Sequence, residues 1–203
     1  MLVATFDIGT TAVKAVAVRD DGEPVFTGSQ VLHTIEKNGF KEQDPEEWYS
    51  AFCTLSHALT GKIPAQEISA LIFSGQMQDV IPVGSDRRAL GNAILYSDGR
   101  AGAQAETIEN AVGNHFDGSM PLAKILWLKE NEPEIYTQTT AFLISSKDYV
   151  VAKLTGNFIG DMTACATAGA MDLEYKTWSQ CLINGAGLDI NKFPKLLHSH
   201  ELA

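Results

Sequence analysis

The stretch ATFDIGTTAVKAVAVRDDGE, residues 4–23, decides the fold. An apolar run ends at Asp7, a Gly-Thr-Thr turn follows at residues 9–11, and a second apolar run leaves the turn with Lys14 inside it. This pattern predicts a β-hairpin, for which turn residues alone would suffice. An acid, two hydroxyls and a lysine around the turn also suit a phosphate and its metal ion. A purely structural hairpin is the alternative.

The remaining periodicity predicts one domain of mixed α and β order. Asp20-Asp21-Gly22 is a second turn signal, so the chain opens with a three-stranded antiparallel meander. Asp44 caps a helix that has Pro45 at its first position. The predicted segments are strands at 2–8, 12–18, 24–33, 68–74, 80–83 and 93–96, helices at 45–60, 99–113, 121–131 and 146–154, a short helix from Asp161, and a last helix from Trp178 to Gly185 or Gly187.

The composition of the 203-residue chain is that of a globular protein, with 45% hydrophobic and 20% charged residues. Its net charge of −10 disfavours nucleic acid and anionic membranes as partners. No apolar stretch approaches the roughly 20 residues that a membrane span needs, and no signal-peptide pattern opens the chain. The three cysteines contain no C-x-x-C pair, which predicts a reduced, cytoplasmic protein with buried thiols.

The turn at residues 9–11 has the groups that an anion site needs. Gly9 lets the backbone come close to a phosphate, and successive backbone N–H groups form a concavity for an anion. Thr10 and Thr11 add hydroxyl donors, and Lys14 adds positive charge. Asp7 can bind Mg²⁺ directly or through water. The sequence has no G-x-x-x-x-G-K-[ST] loop, which excludes an ordinary P-loop enzyme.

Four ordered segments extend the opening motif along the whole chain. They are DIGTTAVKA, GFKEQDPEEWYSAF, SGQMQDVIPVGSDRRALGNAILYSDGRA and SSKDYVVAKLTGNFIGDMTACATAGAMDLEYKTWS. In this order and spacing, the chain resembles the FGGY carbohydrate kinases, most closely their xylulokinase-like branch. The resemblance implies an α/β fold of the actin-like, ribonuclease-H-like ATPase class. Its mixed sheet would open with the antiparallel meander and be flanked by helices.

The resemblance also implies how the chain relates to a whole kinase, because FGGY kinases have two such domains with the active site in the cleft between them. Residues 1–203 would be an incomplete N-terminal domain that binds sugar and phosphate. The adenosine-binding C-terminal domain would be absent from this sequence. We therefore expect a piece of a longer chain, with little kinase activity by itself.

For the opening motif, the resemblance implies that the cofactors are ATP and Mg²⁺. Asp7 would organise the metal ion. The nucleotide phosphates would be contacted by Gly9, Thr10, Thr11 and Lys14.

The later motifs imply the catalytic and sugar-binding residues. Asp161 would be the base that takes the proton from the attacking sugar hydroxyl. The sugar-binding side chains would be Met77, Gln78, Tyr96, Asp98 and Arg100. Without the resemblance, Asp161 is more simply a helix N-cap, Met77 a core residue, and Arg100 a surface or ion-paired residue.

The positions that would read the sugar depart from the family pattern. Xylulokinases typically have Gln-Met-His-Gly where this chain has residues 76–79, and often Trp-Asn-Asp-Gly-Arg where it has residues 96–100. The expected substrate is a ketose like xylulose, or a polyol, with its identity open. The alternatives are a non-catalytic actin-like module that binds nucleotide or a partner, and an FGGY kinase for another polyol such as glycerol. The sequence is compatible with a homodimer.

Overall fold

The structure is a computed structural model that describes residues 1–203. Five consecutive strands open the chain, and groups of helices and strands follow. The strands are β1 (Leu2–Ile8), β2 (Ala12–Arg19), β3 (Pro24–Val31), β4 (Ile35–Lys37), β5 (Phe40–Gln43), β6 (Ile68–Gly75), β7 (Met77–Val83), β8 (Ala93–Ile94), β9 (Ala141–Ser145), β10 (Ile159–Asp161), β11 (Met171–Asp172), β12 (Thr177–Trp178) and β13 (Lys195–Leu197). The helices are α1 (Pro45–Thr60), α2 (Gly102–Val112), α3 (Pro121–Asn131), α4 (Pro133–Gln138), α5 (Ser146–Thr155), α6 (Met162–Ala166) and α7 (Gln180–Gly185).

The first sheet has four strands in the order β3-β2-β1-β6. Strands β1 to β3 form the predicted antiparallel meander, and β6 runs parallel to β1, so the sheet is mixed. Every second side chain of β1 is buried, which leaves Asp7 exposed at its end. On the other edge β6 has no strand partner, and Leu71 and Ile72 are exposed there.

The second sheet has five strands in the order β4-β5-β8-β7-β9 and lies between two hydrophobic cores. Neighbouring residues of β9 point to opposite sides, as the pleat of a strand requires. Leu143 enters the core formed with the first sheet, α1 and α5, whereas Phe142 and Ile144 enter the core formed with α2, α3 and α7. The second sheet therefore contributes to both cores, one on each of its faces.

The sequence predicted most elements but misplaced two helix starts. Helix α1 begins as expected, with the Asp44 side chain accepting from the backbone N–H of Glu46. The helix predicted from residue 99 begins three residues later, at Gly102. The helix predicted from Trp178 begins at Gln180, because Trp178 pairs with β11.

Several short elements were not predicted, and the expectation about the cysteines was wrong. Strands β4, β5 and β9 to β13 and helix α4 were missed, since they are short or, for β9, buried on both faces without any alternation. The thiols are not all buried, because Cys165 is buried and Cys181 is exposed on α7. No helix has the length and apolar character that a membrane span requires.

Candidate active site

The turn between β1 and β2 presents two free backbone donors. Gly9 closes the turn by donating its N–H to the carbonyl of Ala12, at 3.2 Å. The N–H groups of Thr10 and Thr11 donate to no group of the chain. Adjacent unpaired N–H groups at an exposed turn suit an anion. The geometry therefore agrees with the phosphate site expected from the sequence.

An acid and a base lie opposite each other at the mouth of this turn. Asp7 on β1 and Lys14 on β2 are paired in the strand register, and both are exposed. One oxygen of Asp7, Oδ1, accepts from the hydroxyl of Ser74 at 2.6 Å, and Oδ2 accepts no hydrogen bond from the chain. A free, exposed carboxylate oxygen beside an anion site is a suitable ligand for Mg²⁺. The residues present thus fit a magnesium-bound phosphate.

Close packing at Gly75 brings three chain segments together beside the turn. The Ser146 hydroxyl at the start of α5 donates to the carbonyl of Ile8 at the end of β1, at 2.6 Å. A Cβ added at Gly75 would lie 2.5 Å from that hydroxyl oxygen and 3.0 Å from that carbonyl oxygen. Only glycine permits this approach, and the ends of β1 and β6 therefore meet the start of α5.

A cavity of about 320 Å³ opens next to this junction. It brings together Met77 and Asp161, two residues predicted to serve the sugar, and it includes Ser74, the partner of Asp7. Its lining is completed by Phe73, Gly75, Lys147, Thr163, Ala164 and Ser199. The cavity thus connects the predicted metal ligand with the predicted base.

Both oxygens of the Asp161 carboxylate are engaged. Oδ1 accepts from the N–H of Thr163 at 2.7 Å, which caps α6, and from the hydroxyl of Ser199 at 3.1 Å. Oδ2 lies 2.6 Å from Nζ of Lys147. Burial alone would raise the pKa of Asp161, but the contact with Lys147 and the other hydrogen bonds outweigh it and hold the pKa below its ordinary value. Asp161 is therefore an ionised, firmly held carboxylate at neutral pH.

Lys147 is also shared with a second acid, Asp148. Its Nζ lies 3.3 Å from Oδ1 of Asp148, whose Oδ2 is buried and has no partner. Burial raises the pKa of Asp148 to about 6. The pKa of Lys147 is affected oppositely by burial, which lowers it, and by the two carboxylates, whose larger effect raises it. Lys147 therefore stays charged, and the sequence had not indicated it as a site residue.

The predicted sugar contacts Asp98 and Arg100 lie away from this cavity, in a closed ion pair. The Arg100 side chain is 2% exposed and lies 2.7 Å from both Asp98 and Glu42. Its guanidinium also lies over the rings of Phe40 and Trp127, 3.9 and 4.9 Å from their centroids. Nε and Nη2 of Arg100 and both oxygens of Asp98 thus bond to groups of the chain itself, and the contact of these two residues with a sugar stays a prediction.

Gln78 and Tyr96, by contrast, are tied together by two buried polar side chains. Lys124 donates from Nζ to the carbonyl of Gln78 at 3.2 Å and to that of Leu95 at 2.6 Å. Asp79 accepts from the N–H of Tyr96 at 3.0 Å. Burial raises the pKa of Asp79 to about 8 and lowers that of Lys124 to about 8. Gln78 itself has a φ of 65°, a conformation rare outside glycine.

The comparisons with known proteins establish the family. Residues 2–203 match the N-terminal domain profile of the FGGY family of carbohydrate kinases, and the chain belongs to this family. It is 32% identical to a xylulose kinase of Bacillus subtilis (strain 168) over 98% of its own length and 42% of the relative. The chain therefore spans less than half the length of this relative.

Solved structures give the same result. A ligand-bound xylulose kinase from Lactobacillus acidophilus matches with a TM-score of 0.85 and 30% identity, over 97% of this chain and 42% of that one. A gluconate kinase from the same organism matches with a TM-score of 0.84 and 31% identity, over the same shares. The predicted resemblance and the actin-like, ribonuclease-H-like ATPase fold are confirmed.

Proposed function

We propose that this chain is the N-terminal domain of an ATP-dependent sugar kinase that phosphorylates a primary hydroxyl of a ketose or polyol. The single observation that carries the proposal is the cavity beside the β1–β2 turn. It links Asp161 and Met77, through Ser74, to Asp7 and the two free N–H groups of the turn. A reacting hydroxyl and a phosphoryl group could meet there. Membership of a carbohydrate kinase family supports this reading.

On the phosphate side, the proposal assigns charge neutralisation to the hairpin. When bound, MgATP would supply the phosphoryl group, and its metal ion would offset the charge that develops during transfer. The exposed ammonium of Lys14 and the turn donors would hold the phosphates. The free Oδ2 of Asp7 would hold the metal ion directly or through water. Positioning and charge stabilisation are the main requirements of phosphoryl transfer.

On the sugar side, Met77, Gln78 and Tyr96 are available without rearrangement, because Met77 and Tyr96 are exposed and Gln78 is half-buried. Asp98 and Arg100 would contact a sugar only if their ion pair opened. The known relatives include kinases for xylulose and for gluconate, at similar identity to this chain. We therefore keep a xylulose-like ketose as the first candidate, ahead of a polyol, and include gluconate among the sugars to be tested.

Asp161 is the proposed general base, and its contacts define what it must do. Its ionised carboxylate could accept a proton from a sugar hydroxyl at Oδ2, whose one partner is Lys147. Lys147, held at 2.6 Å, would stabilise the ionised form and leave Asp161 a weak base. The alternative is that Asp161 serves only as the N-cap of α6 and the ion-pair partner of Lys147.

The proposal includes a second, adenosine-binding domain that lies outside residues 1–203, and a cytoplasmic location. The share of about 42% of its relatives that this chain spans supports the two-domain arrangement. A homodimer is a further part of the prediction. Analytical ultracentrifugation of the purified protein at several concentrations would measure whether it dimerises.

The test is ADP release from MgATP with D-xylulose, D-gluconate and glycerol, by residues 1–203 alone and by the longer protein that contains them. We expect the longer protein to turn over one sugar, and residues 1–203 alone to remain below about 1 per second, the low end of ordinary enzymes. Turnover by the short chain at that rate would contradict the two-domain arrangement. Absence of turnover by the longer protein with any sugar would favour a non-catalytic binding module.

The base is tested by Asp161→Asn in the longer protein, with Asp44→Asn as the matched control, since Asp44 also caps a helix through its side chain. Asp161→Asn should lower kcat by about 10²–10⁴-fold, the usual contribution of a general base. Asp44→Asn should leave kcat close to that of the unmodified protein. If Asp161→Asn keeps more than about a tenth of kcat, it is a cap and the base lies elsewhere.

A further inference from the structure

A fully buried amide, Gln43, lies at the centre of a hydrogen-bond relay behind the β1–β2 turn. Gln43 ends β5 and is 0% exposed. Its Nε2 donates to the carbonyl of Thr10 at 2.6 Å and to the hydroxyl of Thr34 at 3.0 Å. Its Oε1 accepts from the indole N–H of Trp48 at 3.0 Å and from the side-chain amide of Gln76 at 2.9 Å. All four hydrogen-bonding positions of the amide are used.

The direction of every bond in this relay follows from its fixed ends. An indole nitrogen can only donate, so the oxygen of Gln43 must face Trp48. A carbonyl can only accept, so the nitrogen of Gln43 must face Thr10. Gln76 then points its nitrogen at Gln43 and its oxygen at the Thr10 hydroxyl, 2.8 Å away. That hydroxyl is therefore obliged to donate to Gln76.

This direction has a consequence for the phosphate turn. The one proton of the Thr10 hydroxyl is committed to Gln76, and phosphate oxygens are acceptors that would need it. The exposed hydroxyl of Thr11 and the two free N–H groups of the turn remain available as donors. The side chain of Thr10 thus supports the turn, whereas its backbone N–H stays on the binding face.

The relay ends at the cavity described above. Gln76 lies between Gly75 and Met77, which both line the cavity. Its backbone is fixed as well, since its N–H donates to the carbonyl of Ile8 at 3.0 Å and its carbonyl accepts from the Ser145 hydroxyl at 2.7 Å. A shift of the turn must therefore move the cavity wall, because no flexible link separates them.

We propose that Gln43 and Gln76 are positioning residues that couple the phosphate turn to the sugar side of the cavity through the Thr10 hydroxyl. This rests on the function proposed above. The relay joins residues 10, 43 and 76, which are remote in sequence, and Gln43 at its centre is closed to water. Buried polar groups with every bond satisfied fix a single arrangement more strictly than apolar contacts do. The coupling is thus built into the fold and needs no moving segment.

The first test concerns the relay alone and is independent of catalysis. Amide and indole NMR signals of residues 1–203 are compared between Thr10→Val, which has the same shape but no hydroxyl, and Thr11→Val as the matched control. Thr10→Val should shift the Trp48 indole N–H, the Gln76 side-chain amide and the Met77 N–H, and Thr11→Val should leave them in place. Equal shifts in both variants, or none in Thr10→Val, would overturn the relay.

The second test measures the coupling in the longer protein, with MgATP and the sugar that it phosphorylates. Thr10→Val and Gln43→Met should lower kcat about 10-fold or more and leave KM for ATP within about threefold, as loss of positioning does. Thr11→Val should chiefly raise KM for ATP. Thr139→Val is the control, because it removes a buried hydroxyl hydrogen bond at the end of α4, outside the relay.

The two tests separate the possible failures. If the longer protein phosphorylates no sugar, the proposed function fails, and the NMR comparison still decides the relay. If Thr10→Val raises KM for ATP as much as Thr11→Val does, with kcat unchanged, Thr10 is a phosphate ligand and the coupling role is wrong. If Thr139→Val lowers kcat as much as Gln43→Met, the effect of Gln43 is general destabilisation and the proposal also fails.

Discussion

Asp79→Asn should stabilise the protein increasingly as the pH rises. Asp79 is 0% exposed, its Oδ1 accepts from the N–H of Tyr96, and its Oδ2 has no partner. Burial raises its pKa from 3.8 to about 8, so the folded protein keeps this proton at neutral pH. The unfolded chain releases it near pH 4. Asparagine has nearly the same shape and no proton to release.

The size of the effect follows from proton linkage. Between about pH 4 and pH 8 the unfolded state binds one proton fewer at Asp79, so the free energy of unfolding falls by about 1.4 kcal/mol per pH unit. In Asp79→Asn this pH-dependent loss of stability is absent, because asparagine does not titrate. The free energy of unfolding of Asp79→Asn, relative to the unmodified chain, should therefore rise by about 4 kcal/mol from pH 5 to pH 8. Groups that do not interact with Asp79, such as Asp148, cancel in this difference.

Urea unfolding followed by far-ultraviolet circular dichroism, at pH 5, 6, 7 and 8, measures this difference. Asp86→Asn is the control, because Asp86 is an exposed turn aspartate that also accepts from a backbone N–H. The difference in free energy of unfolding between Asp86→Asn and the unmodified chain should not grow from pH 5 to pH 8. The reasoning is refuted if Asp79→Asn is less stable at every pH and the deficit widens toward pH 8. That result would mean a charged Asp79 paired with Lys124.

Two further predictions concern the backbone around the cavity. Gly75→Ala should lower the free energy of unfolding by about 1–3 kcal/mol, since its Cβ would lie 2.5 Å from the Ser146 hydroxyl. Thermal unfolding measures this loss, with Gly99→Ala as the control, since a Cβ added at Gly99 meets nothing within 4 Å. Equal stability of the two variants would contradict the prediction. Gln78→Gly should raise stability by up to about 1 kcal/mol, because φ at Gln78 is 65°. Lys176→Gly should also raise stability, because φ at Lys176 is 55°. A loss of stability in Gln78→Gly alone would show that contacts of the Gln78 side chain outweigh the backbone effect.

Local signals explain why much of the fold could be predicted. The first two strands and their turn lie within 18 consecutive residues, 2–19, so the pairing of β1 with β2 needs no distant contact. Asp44 followed by Pro45 fixes the start of α1 for the same reason. The Gly-Thr-Thr turn carries its own chemistry, and its free N–H groups agree with the anion site that the sequence indicated.

The rest depended on contacts between distant residues. The ion pair of Asp98 and Arg100 is local, but its closure depends on Glu42, Phe40 and Trp127, which no pattern near residue 98 could reveal. The five residues of β9 are all buried, so their sequence lacks the alternation that identifies a strand.

Gln43 and Gln76 were inside recognisable motifs, yet sequence could not show that they face each other. They are 33 positions apart, and the partner that fixes their orientation, Trp48, reads as a core residue of α1. A buried glutamine immediately before a helix cap is the one signal that could have indicated the relay. This signal is not sufficient, because only the tertiary structure decides whether the amide finds its hydrogen-bond partners.

The free edge of β6 sets a practical limit on handling residues 1–203 as a separate protein. Leu71 and Ile72 are 46% and 55% exposed beside a cavity of about 520 Å³. A strand with one unpaired edge and apolar side chains is a template for intermolecular pairing, and aggregation through it grows with concentration. Charge repulsion from the −10 net charge opposes this most strongly at low salt. Dilute, low-salt conditions above the isoelectric point should therefore keep the chain in solution longest.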